Sequence, residues 1–421
     1  MVIGVFCFRN DLRLHDNPAL QKAVEECDKL YLVYVFEDRV WKAVRPNRIS
    51  KHRANFILES LSCLRENIRD CGGVLHLIQG NIEHAIPKFM GKVGAETCFI
   101  SEENAWEEKW VENQLSQNSS LRLEYSRTLI HINDLPFNLT DLPDSFSKFR
   151  KLVENQWYVR PCIDKIERLQ HSDFSDGLKE LKDFDYGFEV PSTYYFLFRG
   201  GSKSAKNRLK EWIWDKHFIS QYKETRNQLK GADFSSRFSP WLSNGCVSPR
   251  EIYWEVKKYE SMHGANESTY WLVFELLWRD YFHFFARIHG AKIFQKQGIH
   301  PQREYFPEPE DAESLFSAWK DGCTRNSFVN ANMNELRQTG WMSNRGRQIV
   351  ASYLINDMQL DWRRGAQWFE EQLIDYDVCS NYGNWLYLSG YGSDPRNKRY
   401  FNCEKQADMY DPKGDYTKDW A

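Results

Sequence analysis

Two short runs, Val2–Phe8 and Leu30–Phe36, are dense in β-branched and aromatic residues. Between them, Asn17–Cys27 repeats its apolar residues at helical spacing. A strand, a helix and a second strand in that order constrain a chain severely. Strands joined through a helix run parallel, and a parallel sheet needs cover on both faces. The alternation continues: Ser50–Cys71 has helical periodicity, and Val74–Ile78 and Glu96–Ile100 supply two further short strands. Residues 1–130 therefore read as an α/β domain, a parallel sheet with flanking helices. No G-x-G-x-x-G follows the first strand, so the dinucleotide-binding loop is absent. Met1–Phe8 has no basic leader and no small-residue cleavage site. It reads as a first strand, and the expected location is the cytoplasm.

Over residues 131–201 the pattern loosens. Pro136, Pro143, Pro161 and Pro191 punctuate it and helical stretches are short, which indicates an interdomain connector. After Gly200-Gly201 the chain turns all-helical. Ser204–Lys216, Pro249–Tyr259, Ser268–Arg287, Asp311–Lys320, Ser327–Thr339, Asn344–Gln359 and Arg364–Asp375 all space their apolar residues three to four apart. Residues 202–421 thus form a large helical domain. No apolar run reaches the roughly 18–20 residues of a membrane span. The net charge of −3 offers nucleic acid no overall attraction, so a phosphate backbone would need a local basic face. The ten cysteines form no C-x-x-C pair and none lies beside a histidine at zinc spacing, so no metal site is expected.

The unusual quantity is aromatic content: 16 Trp, 21 Tyr and 27 Phe, with Trp crowded into the second half. A large aromatic core accounts for this, and so does a stacking surface for a flat cofactor or bases with redox-active indoles. Four blocks carry polar chemistry among these rings. Gly231–Pro249 holds three close serines and an arginine before a proline, a composition suited either to an anion site or to a capped loop. Phe274–Phe285 places Glu275 and Arg279 four apart on one helix face, an ion-pair spacing in a helix aromatic on nearly every side. Thr339–Ser352 reads T-G-W-M-S-N-R-G-R-Q-I-V-A-S. Asp361–Gly392 sets Asp375, Asp377, Asn381 and Asn384 near a helix end in an apolar setting. Two carboxylates without a His or a third carboxylate do not make a metal site.

Together these blocks resemble the cryptochrome–photolyase family, most closely its cryptochrome-DASH branch. The likeness runs from F-R-N-D-L-R-L-H-D-N at Phe8–Asn17 to Y-F-N at Tyr400–Asn402, almost the whole chain. D-L-P-F and F-R-K-L-V-E in the connector fit the same branch, as does F-S-P-W-L at Phe238–Leu242. G-W-M-S-N-R-G-R-Q and L-I-D-Y-D-V-C-S-N-Y-G-N-W are highly specific together. The resemblance implies an α/β N-terminal domain and an all-α C-terminal domain that holds FAD. Tyr222, Ser235, Ser236, Arg237, Phe238 and Ser239 match the family's cofactor-phosphate segment, and Arg279 joins this cofactor set. Arg347 matches the partner of a buried aspartate, here Asp375. Asp377 matches a flavin-binding aspartate, and Asn381 the residue beside flavin N5.

By the same resemblance, Glu275, Trp278, Asn344 and Arg345 line a cavity for a cyclobutane pyrimidine dimer, with Gln348 and Tyr387 as the DASH variants of that pocket. Trp385 and Trp362 match the inner members of a chain of tryptophans that re-reduces flavin. Pro309 falls where many relatives carry the third, so Tyr305 or Trp319 is left to replace it. The implied activity is light-driven repair of dimers in single-stranded DNA, by a monomer with a folate antenna, 5,10-methenyltetrahydrofolate, in the α/β domain. The competing readings are a signalling photoreceptor with little repair activity, and a light-independent nucleotide-binding domain fused to a helical interaction module.

Overall fold

The computed structural model describes residues 1–42, 47–169, 180–181, 184, 198–305, 307–394 and 399–421. All four expected strands form: β1 (Ile3–Phe8), β2 (Lys29–Phe36), β3 (Leu75–Gln79) and β4 (Thr97–Glu102). A fifth, β5 (Ser120–Tyr125), completes a parallel sheet in the order β3-β2-β1-β4-β5. The sequence reading lacks β5 because an edge strand need not be apolar: only Tyr125 of S-L-R-L-E-Y is buried. Alternate residues serve opposite faces. Val5, Cys7, Tyr31, Val33, Cys98 and Ile100 pack under two helices the periodicity reading omits, Ile82–Val93 and Trp106–Asn118. Phe6, Phe8, Leu32, Phe36 and Phe99 face the other way, into a core continuous with Trp212, Trp241 and Trp341 of the helical half. Each such side chain contributes about 1.5–3 kcal/mol on burial, so this shared face fastens the two halves together.

The local signals behave as expected. Asn17 caps helix Pro18–Glu26 by accepting from the Leu20 N–H at 3.2 Å. Gly4 lets that helix's exit approach β1, where a Cβ would lie 2.4 Å from the Cys27 sulfur. Inside the connector, helix Phe146–Asn155 turns Phe146, Phe149 and Val153 inward. Pro191 lies outside the described residues.

In the helical half, Ser327–Thr339 forms as read. Two expected helices end in wider π turns, Lys210–Asp215 and Tyr353–Asp357. Helix Glu267–His289 runs through the centre against helix Val378–Ser389. Its buried Asp280 accepts the N–H groups of Leu129 and Ile130, each at 2.8 Å, and so ties the end of the α/β half to the helical one. The boundary that bears on the polar residues differs from the sequence reading. Helix Trp362–Gln372 stops before Asp375, and Asp377 begins a new helix by accepting the Ser380 N–H at 2.8 Å. Asp377 is therefore an N-cap, and Asn381 and Asn384 lie in the helix it starts. No helix among the described residues is long and apolar enough to cross a membrane.

Candidate functional site

A cavity of about 280 Å³ opens in the helical half. Tyr222, the segment Ser235, Ser236, Arg237, Phe238 and Ser239, and Arg279, Arg347, Asp375, Asp377 and Asn381 all line it. Leu272, Leu276, Trp341, Met342, Phe369 and Leu388 supply apolar wall. This mix of apolar surface and a few convergent polar groups is what a large heteroaromatic ligand requires.

The serine segment is held from behind. Arg208 donates to the carbonyls of Ala232, Ser235 and Ser236 at 3.1–3.2 Å and pairs with Asp233 at 2.8 Å. Sequence reading had no signal for Arg208, which lies on an earlier helix. Arg237 takes a left-handed φ of 55°, and its guanidinium lies 3.7 Å over the Trp341 ring. It donates to the Gly231 carbonyl at 2.6 Å, but its buried Nε has no partner. Burial lowers its pKa to about 10, against the attraction of Glu335. A buried cation with an unspent donor is an anion handle.

Arg347 and Asp375 form the expected pair at 2.8 Å, and Ser239 Oγ, from the serine segment, donates to the same carboxylate at 2.6 Å. Arg127 reaches Asp377 at 3.2 Å and His283 reaches it at 3.3 Å. Burial raises the Asp377 carboxyl, but His283, Arg279 and Arg127 outweigh it and hold the group well below the usual carboxylate range. The Asn381 amide donates to the Ala366 carbonyl at 2.9 Å, which leaves its oxygen to offer the cavity.

Glu275 and Arg279 both line the cavity, but they do not pair. Glu275 bonds Arg226, and Arg279 donates to the Arg127 carbonyl. Spacing of four permits an ion pair without requiring one, and each group found a partner on another element. Burial pushes the Glu275 carboxyl up, and Arg226 partly offsets this. Asn344 and Gln348 border the same cavity. Trp278 lies to one side. Phe146 covers one face of its indole, with centroids 3.8 Å and planes 13° apart, and Tyr387 meets it edge-on at 5.3 Å. Tyr387 in turn bonds Arg399. Arg345 reaches Asn227 at 3.1 Å and packs over Tyr410 at 4.8 Å.

Of the three indoles read as electron carriers, Trp385 borders the cavity. Gly365 makes room for it: a Cβ there would fall 2.2 Å from the ring. Helix Trp362–Gln372 thereby carries both Trp362 and the surface on which Trp385 rests. Trp319 is fully buried, and its ring lies 6.4 Å from that of Trp385. It neighbours the inner indole and has no outward position.

His283, Asp377 and Cys379 bring ligand atoms within 4.8 Å of one another, a cluster invisible in sequence because His283 lies on a different helix. Arg127 and Arg279 already supply positive charge there, and burial keeps the Cys379 thiol protonated. Both work against a cation.

A second cavity, of about 210 Å³, opens at the carboxyl ends of β1 and β2, beside the point where the strand order reverses. Phe8, Arg9, Tyr34, Glu37 and Trp41 line it from the sheet side, and Tyr376 and Asp377 line both cavities. Its arginines are already engaged. Arg9 pairs with Glu112 at 2.9 Å, Arg48 with Glu107 and Glu370 at 2.7 Å, and Arg39 with Glu83.

Comparison with known proteins bears directly on the first cavity. Residues 5–167 match the family model described as DNA photolyase, and residues 271–421 the FAD binding domain of DNA photolyase. The cryptochrome DASH of Danio rerio is 44% identical over 99% of this chain and 82% of its own length. The chain belongs to the cryptochrome–photolyase family, in its cryptochrome DASH branch. The solved cryptochrome of Synechocystis superposes with a TM-score of 0.91 at 40% identity, over 100% of this chain and 89% of that one. An archaeal photolyase from Sulfolobus tokodaii, solved with two FAD molecules, gives 0.81 at 25% identity over 100% and 90%. The helical half of this cryptochrome DASH chain is an FAD-binding domain. The first cavity fits that cofactor, since its lining combines a buried guanidinium whose Nε has no hydrogen-bond partner with buried carboxylates and an amide.

Proposed function

We propose that the protein binds FAD in the first cavity and repairs cyclobutane pyrimidine dimers in single-stranded DNA under blue light. The observation that carries this reading is the convergence of Glu275, Asn344 and Gln348 on the cavity lined by the whole cofactor set. Bound and reduced, FAD would supply the photoexcited electron. Arg237 and the Ser235–Ser239 segment would take the cofactor's phosphates, and Arg347 would fix Asp375 through their ion pair. Asn381 would offer an acceptor oxygen to a protonated ring nitrogen. Glu275 would hold the dimer through hydrogen bonds, its carboxyl kept in place by Arg226. Trp278, sealed by Phe146 on one side, offers its remaining surface to a base. Arg345 would hold a flanking phosphate. A dimer must leave its stack to enter, and that costs least in a single strand.

The second cavity is our proposed antenna site. The archaeal relative was solved with two FAD molecules, with the implication of a novel light-harvesting cofactor. Here the aromatic walls of Tyr34, Trp41 and Tyr376 suit a pterin ring such as that of 5,10-methenyltetrahydrofolate. The test is blue-light illumination of reduced protein with dimer-containing oligonucleotides, single-stranded and duplex. Loss of the lesion in the single strand is the expected result. No turnover on either substrate, with flavin bound, would replace repair with a photoreceptor role. Glu275→Ala should retain flavin and lose repair by about tenfold or more, the loss of a charge-assisted hydrogen bond. Equal repair by that variant would remove Glu275 from the site.

A further inference from the structure

A third cavity, of about 370 Å³, lies where the two halves of the chain meet. Helix Lys51–Asp70 of the α/β half begins on its wall, and Arg337 lines it from helix Ser327–Thr339 of the helical half. Hydrogen bonds at helix ends build the junction. Ser50 Oγ donates to the Gln372 carbonyl at 3.1 Å, Arg53 to the Glu370 carbonyl at 2.7 Å, and His52 Nε2 to the Arg337 carbonyl at 3.2 Å. Carbonyls near two helix C-termini are thereby engaged. At the N-terminus that meets them, Ser50 takes the N–H groups of Arg53 at 3.2 Å and Ala54 at 2.9 Å. The N–H groups of Lys51 and His52 make no hydrogen bond among the described residues.

Two cations flank these N–H groups. Among the described residues, neither Lys51 nor Arg337 forms an ion pair, and Arg337 donates to the Asp321 carbonyl at 2.6 Å. The cavity's other cations are matched, Lys42 by Asp38 at 2.9 Å and Arg48 by Glu107 and Glu370 at 2.7 Å. Of the described lining residues only Glu371 is acidic, and burial pushes its carboxyl up. His52 adds a group of the opposite kind. It lines the cavity, is 4% exposed, and its Nδ1 has no partner. A carbonyl only accepts, so Nε2 carries the ring hydrogen. Burial lowers the pKa of His52 and favours the neutral ring, whose Nδ1 is a bare acceptor.

We propose that this cavity is an orthophosphate site. One phosphate O–H is donated to His52 Nδ1, and the other oxygens are held by the Lys51 and His52 N–H groups, the Lys51 ammonium and Arg337. Donors at a helix N-terminus accept any such anion, sulfate included. The bare acceptor makes the choice. Orthophosphate keeps at least one hydrogen at neutral pH, whereas sulfate has none and a phosphate monoester, with its second pKa near 6, has mostly lost its own. Either of those would leave Nδ1 facing an anionic oxygen. Each half of the chain supplies one cation, so bound phosphate also joins the two halves.

The experiment is calorimetric titration of the flavin-loaded protein at neutral pH and fixed ionic strength, with inorganic phosphate, sulfate and a nucleoside 5′-monophosphate. Phosphate should saturate one site, with sulfate and the monoester each weaker by about tenfold or more, the effect of one unsatisfied buried group. Lys51→Gln and Arg337→Gln, both at exposed positions, should each weaken phosphate by about fivefold. His52→Gln can turn an amide N–H to the anion and should strengthen sulfate by about tenfold, with thermal melts to confirm that the variant folds. Absence of saturable phosphate binding would overturn the proposal. So would equal affinity for phosphate and sulfate, a monoester that binds as tightly as phosphate, or binding that neither Lys51→Gln nor Arg337→Gln weakens. Selectivity that survives in folded His52→Gln likewise removes His52 and the site with it. If that variant does not fold, the wild-type ratio of phosphate to sulfate affinity and the two exposed variants still decide.

Discussion

The two cavities share a wall and differ in how their charge is spent. In the first, Arg237 is buried with an idle Nε, Asp375 pairs with Arg347, and Asp377 is held well below the usual carboxylate range by His283, Arg279 and Arg127. In the second, Arg9, Arg39 and Arg48 are each matched by carboxylates of the protein, and the buried Arg53 spends its donors on the carbonyls of Glu370 and Arg48. A buried guanidinium with donors to spare attracts an anion, whereas a neutralised one has little left to offer it. The first cavity is therefore built for a ligand with phosphates, and the second for one that binds through its ring.

Four substitutions would break or sharpen this contrast. Asp375→Ala strips Arg347 and Ser239 of their partner. Loss of one member of a buried pair costs about 3–5 kcal/mol, so the purified variant should be colourless and melt early, as absorption and thermal denaturation would record. Glu335→Gln tests the support behind Arg237. Burial raises the Glu335 carboxyl to about 7, against the opposing pull of Tyr416, Arg237 and Arg347. The folded state then binds a proton that the unfolded chain has already lost. Its contribution is fully present below the unfolded value near 4.5 and disappears as pH rises to about 7. The variant should flatten the stability profile in that window by on the order of 2–3 kcal/mol, measured by melts at each pH. Arg237→Ala should weaken FAD binding by about 10- to 100-fold, the cost of about 1.5–3 kcal/mol for a hydrogen bond to a charged group, read by titrating apoprotein. Arg48→Ala, in the second cavity, should change FAD affinity by no more than about twofold, the usual limit for sites without shared partners. A larger change would mean that the cavities are coupled through more than Tyr376 and Asp377.

The same contrast explains what the sequence made visible. The first cavity draws on a few local blocks, Gly231–Pro249, Thr339–Ser352 and Asp361–Gly392, each dense enough to recognise alone. The second takes residues from scattered segments between Phe8 and Val378, and no local pattern marks them. Partners such as Arg208, Arg226, Phe146 and His283 escaped for a related reason, since a side chain that braces from another element leaves no spacing to read. Glu275 and Arg279 show the converse error. Their spacing is real, but helix geometry only allows a pair, and tertiary contacts chose otherwise. β5 was hidden because its identity comes from its hydrogen-bonding neighbour, not from its own composition.

Tyr376 and Asp377 belong to both cavities, and this gives the protein a thermodynamic linkage. Any occupant of the second cavity that alters the setting of Asp377 changes FAD affinity by some factor. Reciprocity then requires FAD to change that occupant's affinity by the same factor. Flavin absorbance and fluorescence therefore serve as a gauge for the neighbouring compartment, and a colourless compound entering there can be detected by the shift it imposes on a yellow one.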